Sequence, residues 1–219
     1  MKRAEVVHSP FNTSISVDRS AARAALLDEL DASDDTLLLG FFGSFISRKR
    51  PLDFVNAVTL LRQRLDRPVL GLLFGEALEP ALWQALQTRL RDEDASECIR
   101  LMGFRSPGAY WIAGCDQLIV PAVREPFGRT LIEAMLVGTP VVATACGGNI
   151  EALDGGLGVL VPPGDADALA KAAARVASDP GRTAAMVARA MQTARTRFGE
   201  EHHAARVTQI YEELTTRAA

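Results

Sequence analysis

The stretch REPFGRTLIEAMLVGTPVVATACGG (residues 124–148) decides the fold of this 219-residue chain. It follows the apolar run DQLIVPA (116–122) and contains a glycine turn, the helix-like pattern TLIEAMLVG (130–138) and a second apolar run, PVVATA (140–145). The order strand, loop, helix, strand predicts one unit of a parallel sheet. Two glutamates, Glu125 and Glu133, flank the predicted start of the helix.

The same alternation extends in both directions along the chain. Further strands are predicted at 36–43, 69–75, 98–104 and 157–163, and further helices at 51–65, 79–91 and 108–115. From Asp165 onward the pattern is helical, in segments 165–179, 180–198 and 200–217. The sequence therefore predicts an α/β fold: a Rossmann-like parallel sheet with helices on both faces and a helical C-terminal segment. Such sheets bind ligands beyond the carboxyl ends of their strands.

Composition excludes several classes of protein. A hydrophobic content of 48% allows a substantial core, and a net charge of -3 provides no general attraction to nucleic acid or to an anionic membrane. No apolar run reaches the roughly 18–20 residues of a membrane span. Three cysteines without short pairing suit a reducing compartment, so we expect a cytoplasmic protein. The spacing of histidines and cysteines resembles no metal site, and no metal is expected.

Two strand ends carry candidate binding residues. In FFGSFISRKRP (41–51) a strand ends at Gly43, and a basic loop with Arg48, Lys49 and Arg50 leads into a helix, which would suit an anionic group. The alternative is a solvated basic loop. In RLMGF (100–104), Gly103 would let a flat ring approach the backbone, unless it is a plain turn glycine.

The third strand end is the opening stretch. Gly128 permits a tight turn, after which residues 129–131 would present free N–H groups and the helix dipole to a phosphate. Glu133, about one turn further, could accept two hydrogen bonds from a vicinal diol such as a ribose. Glu125 could reach another part of the same ligand, with Lys49 offsetting the repulsion between carboxylate and phosphate. The alternatives are a helix-dipole role for Glu133 and a solvated loop position for Glu125.

Several motifs in order resemble the C-terminal half of the family-4 retaining glycosyltransferases, which have the GT-B fold. FFGSFISRKRPLDFVNAV is similar to the family's Gly-x5-Lys phosphate loop, with Gly43 and Lys49 in place. IRLMGF resembles its base-binding segment. GCDQLIVPAVREPFGRTLIEAM resembles its Glu-x7-Glu signature at both glutamates and at Phe127 and Gly128. The resemblance covers nearly the whole chain.

The resemblance implies roles for these residues. Glu133 would bind the ribose of a nucleotide sugar, Glu125 would lie near the transferred sugar, and Lys49 would neutralise the leaving diphosphate; Lys49 and Glu125 are the implied catalytic residues. The sugar hydroxyls and diphosphate would be held by the amides of Phe127, Gly128, Arg129, Thr130 and Leu131. Backbone around Met102 and Gly103 would meet the base. Stabilisation of the leaving group by donors requires no metal or other cofactor.

The chain departs from the family pattern at two points. Many relatives have an arginine directly after the loop glycine, where this chain has Ser44. Either Arg48 or Arg50 substitutes for it, or the phosphate is held more weakly. Residues 1–219 would form one donor-binding domain, because EVVHSPFNTSI resembles the segment that follows the interdomain linker. The expected partner is therefore an N-terminal acceptor domain of the same protein, through which peripheral membrane association would occur.

Two origins and two other functions remain open on the sequence alone. The chain would be a piece of a larger protein or, alternatively, a natural half-enzyme that pairs with another chain. In isolation it is expected to bind a nucleotide sugar without transferring the sugar. The competing functions are a non-catalytic nucleotide-sugar-binding or scaffold module and a GT-B sugar-nucleotide epimerase, which the order of motifs disfavours.

Overall fold

The apolar strand LLLGFF lies at the centre of the fold in a computed structural model that describes residues 5–216. The last residue of the predicted C-terminal helix, Arg217, lies outside the described residues. Six strands form one parallel sheet: β1 (Leu37–Phe42), β2 (Val69–Phe74), β3 (Ile99–Gly103), β4 (Gln117–Val120), β5 (Val141–Thr144) and β6 (Val159–Val161). Their order is β3-β2-β1-β4-β5-β6. All six were predicted, each trimmed at its ends.

Helices cover both faces of this sheet. The described helices are α1 (Arg19–Glu29), α2 (Pro51–Arg62), α3 (Pro80–Arg89), α4 (Glu93–Cys98), α5 (Gly108–Gly114), α6 (Arg129–Val137), α7 (Gly148–Ala152), α8 (Ala166–Ser178), α9 (Pro180–Arg197) and α10 (Glu200–Thr216). Helix α2 packs on α8 over one face, whereas α1 packs on α5 and α6 on α9 over the other. The sequence-based prediction had no α1, α4 or α7. None of the helices within residues 5–216 is both long and apolar enough to cross a bilayer.

The side chains of β1 show why the strand is apolar throughout. Leu37, Leu39 and Phe41 pack under α2 and α8, and Leu38 points to the opposite face, where it contacts a second apolar cluster. Because both faces are covered by helices, neither can be polar. This arrangement confirms the predicted fold class.

The strand order places two loops side by side. Strand β1 pairs with β2 on one edge and with β4 on the other, so the chain winds outward in opposite directions from the β1–β4 pair. The connection from β1 toward α2 and the loop from β4 to α6 (residues 121–128, here the β4–α6 loop) therefore leave the same edge of the sheet and diverge. Open α/β sheets bind ligands in the crevice that forms at this switch point.

Candidate functional site

A cleft of about 310 Å³ lies beyond the carboxyl ends of the central strands. Its walls are formed by the ends of β1, β2 and β3 together with α5 and α6. The lining residues are Phe42, Gly43, Ser44, Phe74, Gly75, Glu76, Phe104, Arg105, Gly108, Ile112, Thr130 and Glu133. The structure thus brings Gly43, Ser44, Thr130 and Glu133, which the sequence separated by up to ninety positions, to one cavity.

Helix α6 begins where the sequence analysis placed it. Its first residue is Arg129, and Gly128 before it has φ of +72°, a left-handed conformation that favours glycine. A side chain at Gly128 would also approach Asn149 Oδ1 at 3.2 Å and Leu131 Cδ1 at 3.0 Å. Leu131, Ile132 and neighbouring apolar residues of the helix are buried against the sheet, which fixes the direction of the helix axis.

Glu133 projects from α6 into the cleft. It is partly buried, and this desolvation raises the pKa of its carboxyl, while the nearby Arg129 opposes the shift. Its Oε2 lies 3.8 Å from the position that a Cβ of Gly108 would take, so it faces α5 across the cavity. A carboxylate whose charged form is disfavoured by a half-dry cleft suits neutral hydrogen-bond donors better than another anion.

Glu125 is not a solvated loop residue. It is only 6% exposed, and its Oε2 accepts a hydrogen bond from Lys49 Nζ at 2.5 Å. Its Oε1 accepts from the Gly128 amide at 3.2 Å, and Arg48 Nη1 lies 3.5 Å from Oε2. Glu125 therefore joins Lys49 to the turn at the start of α6.

Lys49 lies at the edge of the cleft beside Gly43. Its Nζ is 3.9 Å from the position that a Cβ of Gly43 would occupy, and its side chain is 15% exposed. The solvated basic loop considered from the sequence is thus excluded at this position. The charge of Lys49 is balanced by Glu125, so an arriving anion must share Lys49 with that carboxylate or replace it.

The two arginines of this loop have different environments. Arg50 is turned away from the cleft, because its guanidinium binds both oxygens of Asp53 on α2 at 2.8 and 3.0 Å. The alternative in which Arg50 replaces the missing loop arginine is therefore not supported by its position. Arg48 points toward the β4–α6 loop, where it donates to the Arg124 carbonyl at 3.2 Å.

The five backbone amides expected to bind a ligand are not equivalent. The Gly128 amide is bound by Glu125, and the Leu131 amide donates to the Gly128 carbonyl at 2.9 Å. By contrast, the backbone amides of Phe127, Arg129 and Thr130 donate no hydrogen bond to another group within residues 5–216. Of the three residues, Thr130 lines the cleft.

The segment at the end of β3, which the resemblance predicts to meet the base, is arranged around an arginine that the sequence analysis missed. Gly103 has φ of +67°, and nothing stands within 4 Å of where its Cβ would be. The carbonyl of Met102 accepts from Arg105 Nε at 3.1 Å, and the Met102 side chain is packed into the core. The Arg105 guanidinium lies over the Trp111 ring at 4.4 Å and pairs with Glu29 on α1. Because α1 was not predicted, this pairing had no sequence signal.

Glu76 is a second residue of the cleft that the sequence analysis passed over. It follows Gly75 at the end of β2 and is exposed. Its position directly after a predicted strand was the available signal. Within the described part of the chain, no three His, Cys, Asp or Glu side chains cluster so that they could hold a metal ion.

Comparison with protein families and curated proteins finds one consistent group. The family model "Glycosyl transferases group 1" matches residues 36–179. A D-inositol 3-phosphate glycosyltransferase of Kribbella flavida is 35% identical over 174 residues, which cover 75% of this chain and 40% of that protein. A protein of the same name from Thermobispora bispora is 32% identical over 230 residues, covering 99% and 52% respectively. The chain thus spans about half the length of the curated relatives it matches.

Solved structures share the architecture. Anabaena HepE, solved in complex with UDP and with UDP-glucose, superposes with a TM-score of 0.84 at 26% identity, covering 97% of this chain and 57% of that one. Sucrose-phosphate synthase from Thermosynechococcus elongatus superposes with a TM-score of 0.79 at 25% identity, covering 97% and 53%.

Proposed function

The chain belongs to the glycosyl transferases group 1 family, and from this premise we propose that it is the donor-binding half of a retaining glycosyltransferase. Its ligand is a nucleoside diphosphate sugar, from which the whole enzyme moves the sugar to an acceptor hydroxyl. One observation carries the proposal: the start of α6, Glu133 and the end of β1 converge on a single cleft, with the Lys49–Glu125 pair at its edge. The retaining outcome rests on the resemblance to family 4.

The cleft offers separate contacts for each part of such a ligand. The unengaged amides of Phe127, Arg129 and Thr130, at the positive end of the helix dipole, suit the diphosphate and the sugar hydroxyls. The Glu133 carboxylate suits the ribose diol, because it can accept from two hydroxyl groups. Backbone around Met102 and Gly103 is the proposed site of the base. HepE, at 26% identity, was solved with UDP and UDP-glucose, which supports a uridine nucleotide as the first candidate.

The chemistry follows from charge development. Breaking the bond between the sugar and the phosphate builds positive charge on the sugar and negative charge on the diphosphate. Oriented amides and Lys49 would stabilise the departing diphosphate without a metal ion. Both oxygens of Glu125 already bind donors, so its proposed contribution is to hold Lys49 and the Gly128 turn in place while its own charge faces the sugar.

Transfer is proposed to need more than this chain. Catalysis requires that both substrates be held at attack distance with water excluded, and such positioning can supply about 7–11 kcal/mol of the barrier. The relatives are about twice as long as this chain, and their remaining half is the proposed site of the acceptor.

The test is titration calorimetry with UDP-glucose, GDP-glucose and ADP-glucose. We expect one of them to bind, and Glu133→Ala to weaken that binding by roughly ten- to a hundredfold, the value of hydrogen bonds to a charged group. Failure of all three, and of the free nucleoside diphosphates, would refute the donor site. Incubation with the bound donor and candidate acceptors, followed by mass spectrometry, should show no transfer. Robust acceptor-dependent transfer by this chain alone would refute the half-enzyme proposal.

A further inference from the structure

An aromatic stack joins the first described residues of the chain to the β4–α6 loop. The imidazole of His8 lies parallel to the Phe127 ring, with centroids 4.2 Å apart and an interplanar angle of 10°. Phe198, at the end of α9, meets both rings edge-on, at 5.7 Å from Phe127 and 5.9 Å from His8. Phe127 is therefore clamped between residues that are distant from it in sequence.

His8 is itself held in a defined orientation. Its Nε2 is 2.6 Å from Glu151 Oε1 on α7, and Arg197 donates to the same oxygen at 3.2 Å. Its backbone carbonyl lies 2.8 Å from Nδ1 of His203 on α10. Contacts on both the ring and the backbone restrain His8, so the stack is more than a chance packing of two flat groups.

The position of Phe127 matters for the cleft. Phe127 carries one of the three unengaged amides, and it directly precedes Gly128, whose left-handed conformation starts α6. Because the backbone of Gly128 is intrinsically permissive, something outside the turn must restrict it. The Glu125 carboxylate restrains the turn through the Gly128 amide. The ring of Phe127 provides a second contact through which distant residues can restrain the same turn.

We propose that His8 is a positioning residue for the β4–α6 loop: by stacking on Phe127 it orders the turn that presents the loop amides to the ligand. The segment around His8 thereby acts on the cleft without lining it. The part of this inference that concerns affinity rests on the proposed function, whereas the ordering of the loop does not.

The experiment compares the native chain with His8→Ala, His8→Phe and the control His202→Ala. Phenylalanine retains a ring for stacking but loses the bond to Glu151, whose side chain is 48% exposed and keeps Arg197 as a partner. His202 lines the same pocket beside residues 5–8 but lies on α10. The first measurement is amide hydrogen exchange by NMR, without ligand, at Gly128 and Leu131, the two hydrogen-bonded amides of the turn.

We expect His8→Ala to speed exchange at these two amides by about two- to tenfold, the range that corresponds to one aromatic stacking contact. Exchange in β4 should not change, and His8→Phe and His202→Ala should resemble the native chain. Unchanged exchange at Gly128 and Leu131 in His8→Ala, or an equal increase throughout β4, would overturn the proposal.

The second measurement is affinity for UDP-glucose and for uridine. Because the loop amides face the diphosphate and sugar, His8→Ala should weaken UDP-glucose binding by a similar two- to tenfold and leave uridine binding unchanged. Restored affinity in His8→Phe would support positioning by the ring. Equal losses for both ligands would contradict it. If the native chain binds neither ligand, the proposed function fails, and the exchange rates alone decide whether His8 orders the loop.

Discussion

The Lys49–Glu125 pair should be strongly coupled energetically, and a double-mutant cycle of Lys49→Met and Glu125→Gln measures this. The two charged atoms are 2.5 Å apart, and the side chains are 15% and 7% exposed. At an effective dielectric of about 20, the gross attraction at this distance is about 7 kcal/mol, most of which offsets the desolvation of the two groups. Removing one partner exposes that desolvation cost, which is typically about 3–5 kcal/mol.

The structure indicates that the two single changes will differ. In Lys49→Met, Glu125 keeps its hydrogen bond with the Gly128 amide and has only Arg48, at 3.5 Å, as a remaining cation. We therefore expect the free energy of unfolding to fall by about 3 kcal/mol, at the lower end of the range for a broken buried pair. In Glu125→Gln, Lys49 can turn toward the open cleft, and we expect about 1–2 kcal/mol. The double variant leaves no unpaired buried charge, since the remaining cation, Arg48, is 41% exposed. Its loss should fall short of the sum by about 2 kcal/mol.

The assay is urea unfolding at pH 7, followed by far-UV circular dichroism and by the fluorescence of Trp83 and Trp111. The comparison pair is Arg50 of the same loop with Asp53 of α2, measured with Arg50→Met and Asp53→Asn. Its arginine is 44% exposed although its aspartate is only 10% exposed, so solvent screens the pair from one side and the coupling should be smaller than that of Lys49–Glu125, about 1 kcal/mol. A Lys49–Glu125 coupling energy below about 0.5 kcal/mol would refute the inference that these two side chains are partly desolvated and stabilise each other. The cycle also matters for binding studies. Lys49→Ala alone would remove the proposed diphosphate contact and also leave the Glu125 carboxylate without its cation, so its effect on affinity would combine two causes.

Three further outcomes are expected. Burial raises the pKa of Glu133, so the native chain should lose stability as pH rises from the carboxyl pKa of the unfolded chain, about 4.3, through that of the folded chain. Glu133→Gln should therefore match the stability of the native chain near pH 4 and exceed it at pH 7. An equal difference in stability at both pH values in urea unfolding would contradict this. Gly147→Ala should lower the free energy of unfolding by about 3–4 kcal/mol, because φ is +45° and a Cβ would stand 2.3 Å from the Glu125 carbonyl oxygen. The control Gly155→Ala, where φ is +76° and nothing stands within 4 Å of the Cβ position, should lower it by only about 1–2 kcal/mol, and similar losses for both variants would exclude the clash. Ser44→Arg adds a cation at the cleft and should tighten UDP binding about tenfold without changing uridine binding, whereas the control Ser44→Gln should change neither affinity. An equal gain in affinity for uridine, measured by calorimetry, would argue against a contact between the new arginine and a phosphate.

The boundaries of most elements could be predicted, because they depend on short-range patterns. The segment at 130–138 is helical in the structure almost as expected, since its apolar spacing, the preceding Gly128 and the following Gly138 all favour the same ends. Helices α1, α4 and α7 escaped prediction for two local reasons: α4 and α7 have only six and five residues, and α1 has only three buried positions among eleven. Periodicity is weak where so few residues face the core.

Of the residues that line the cleft, the sequence analysis had selected Gly43, Ser44, Thr130 and Glu133, but the contacts within the candidate site could not be predicted. Glu125, Glu133 and Lys49 could be selected because they lie at strand ends, which meet at one edge of any parallel sheet. That Glu125 is buried, binds Lys49 across 76 positions and occupies the Gly128 amide could not be known from the sequence. The solvated-loop interpretation of Glu125 was wrong for this reason.

The sequence by itself determined the α/β class, the start of α6 and several residues of the cleft, because apolar period, glycine position and strand ends are properties of neighbouring residues. Only the tertiary structure decided which cation faces a carboxylate distant in sequence: Lys49 faces Glu125, and Arg105 faces Glu29. Those pairings depend on the side-by-side placement of β1 and β4 and on a helix that the pattern did not reveal. Electrostatic partners are set by distance in space, which the order of residues along the chain does not specify.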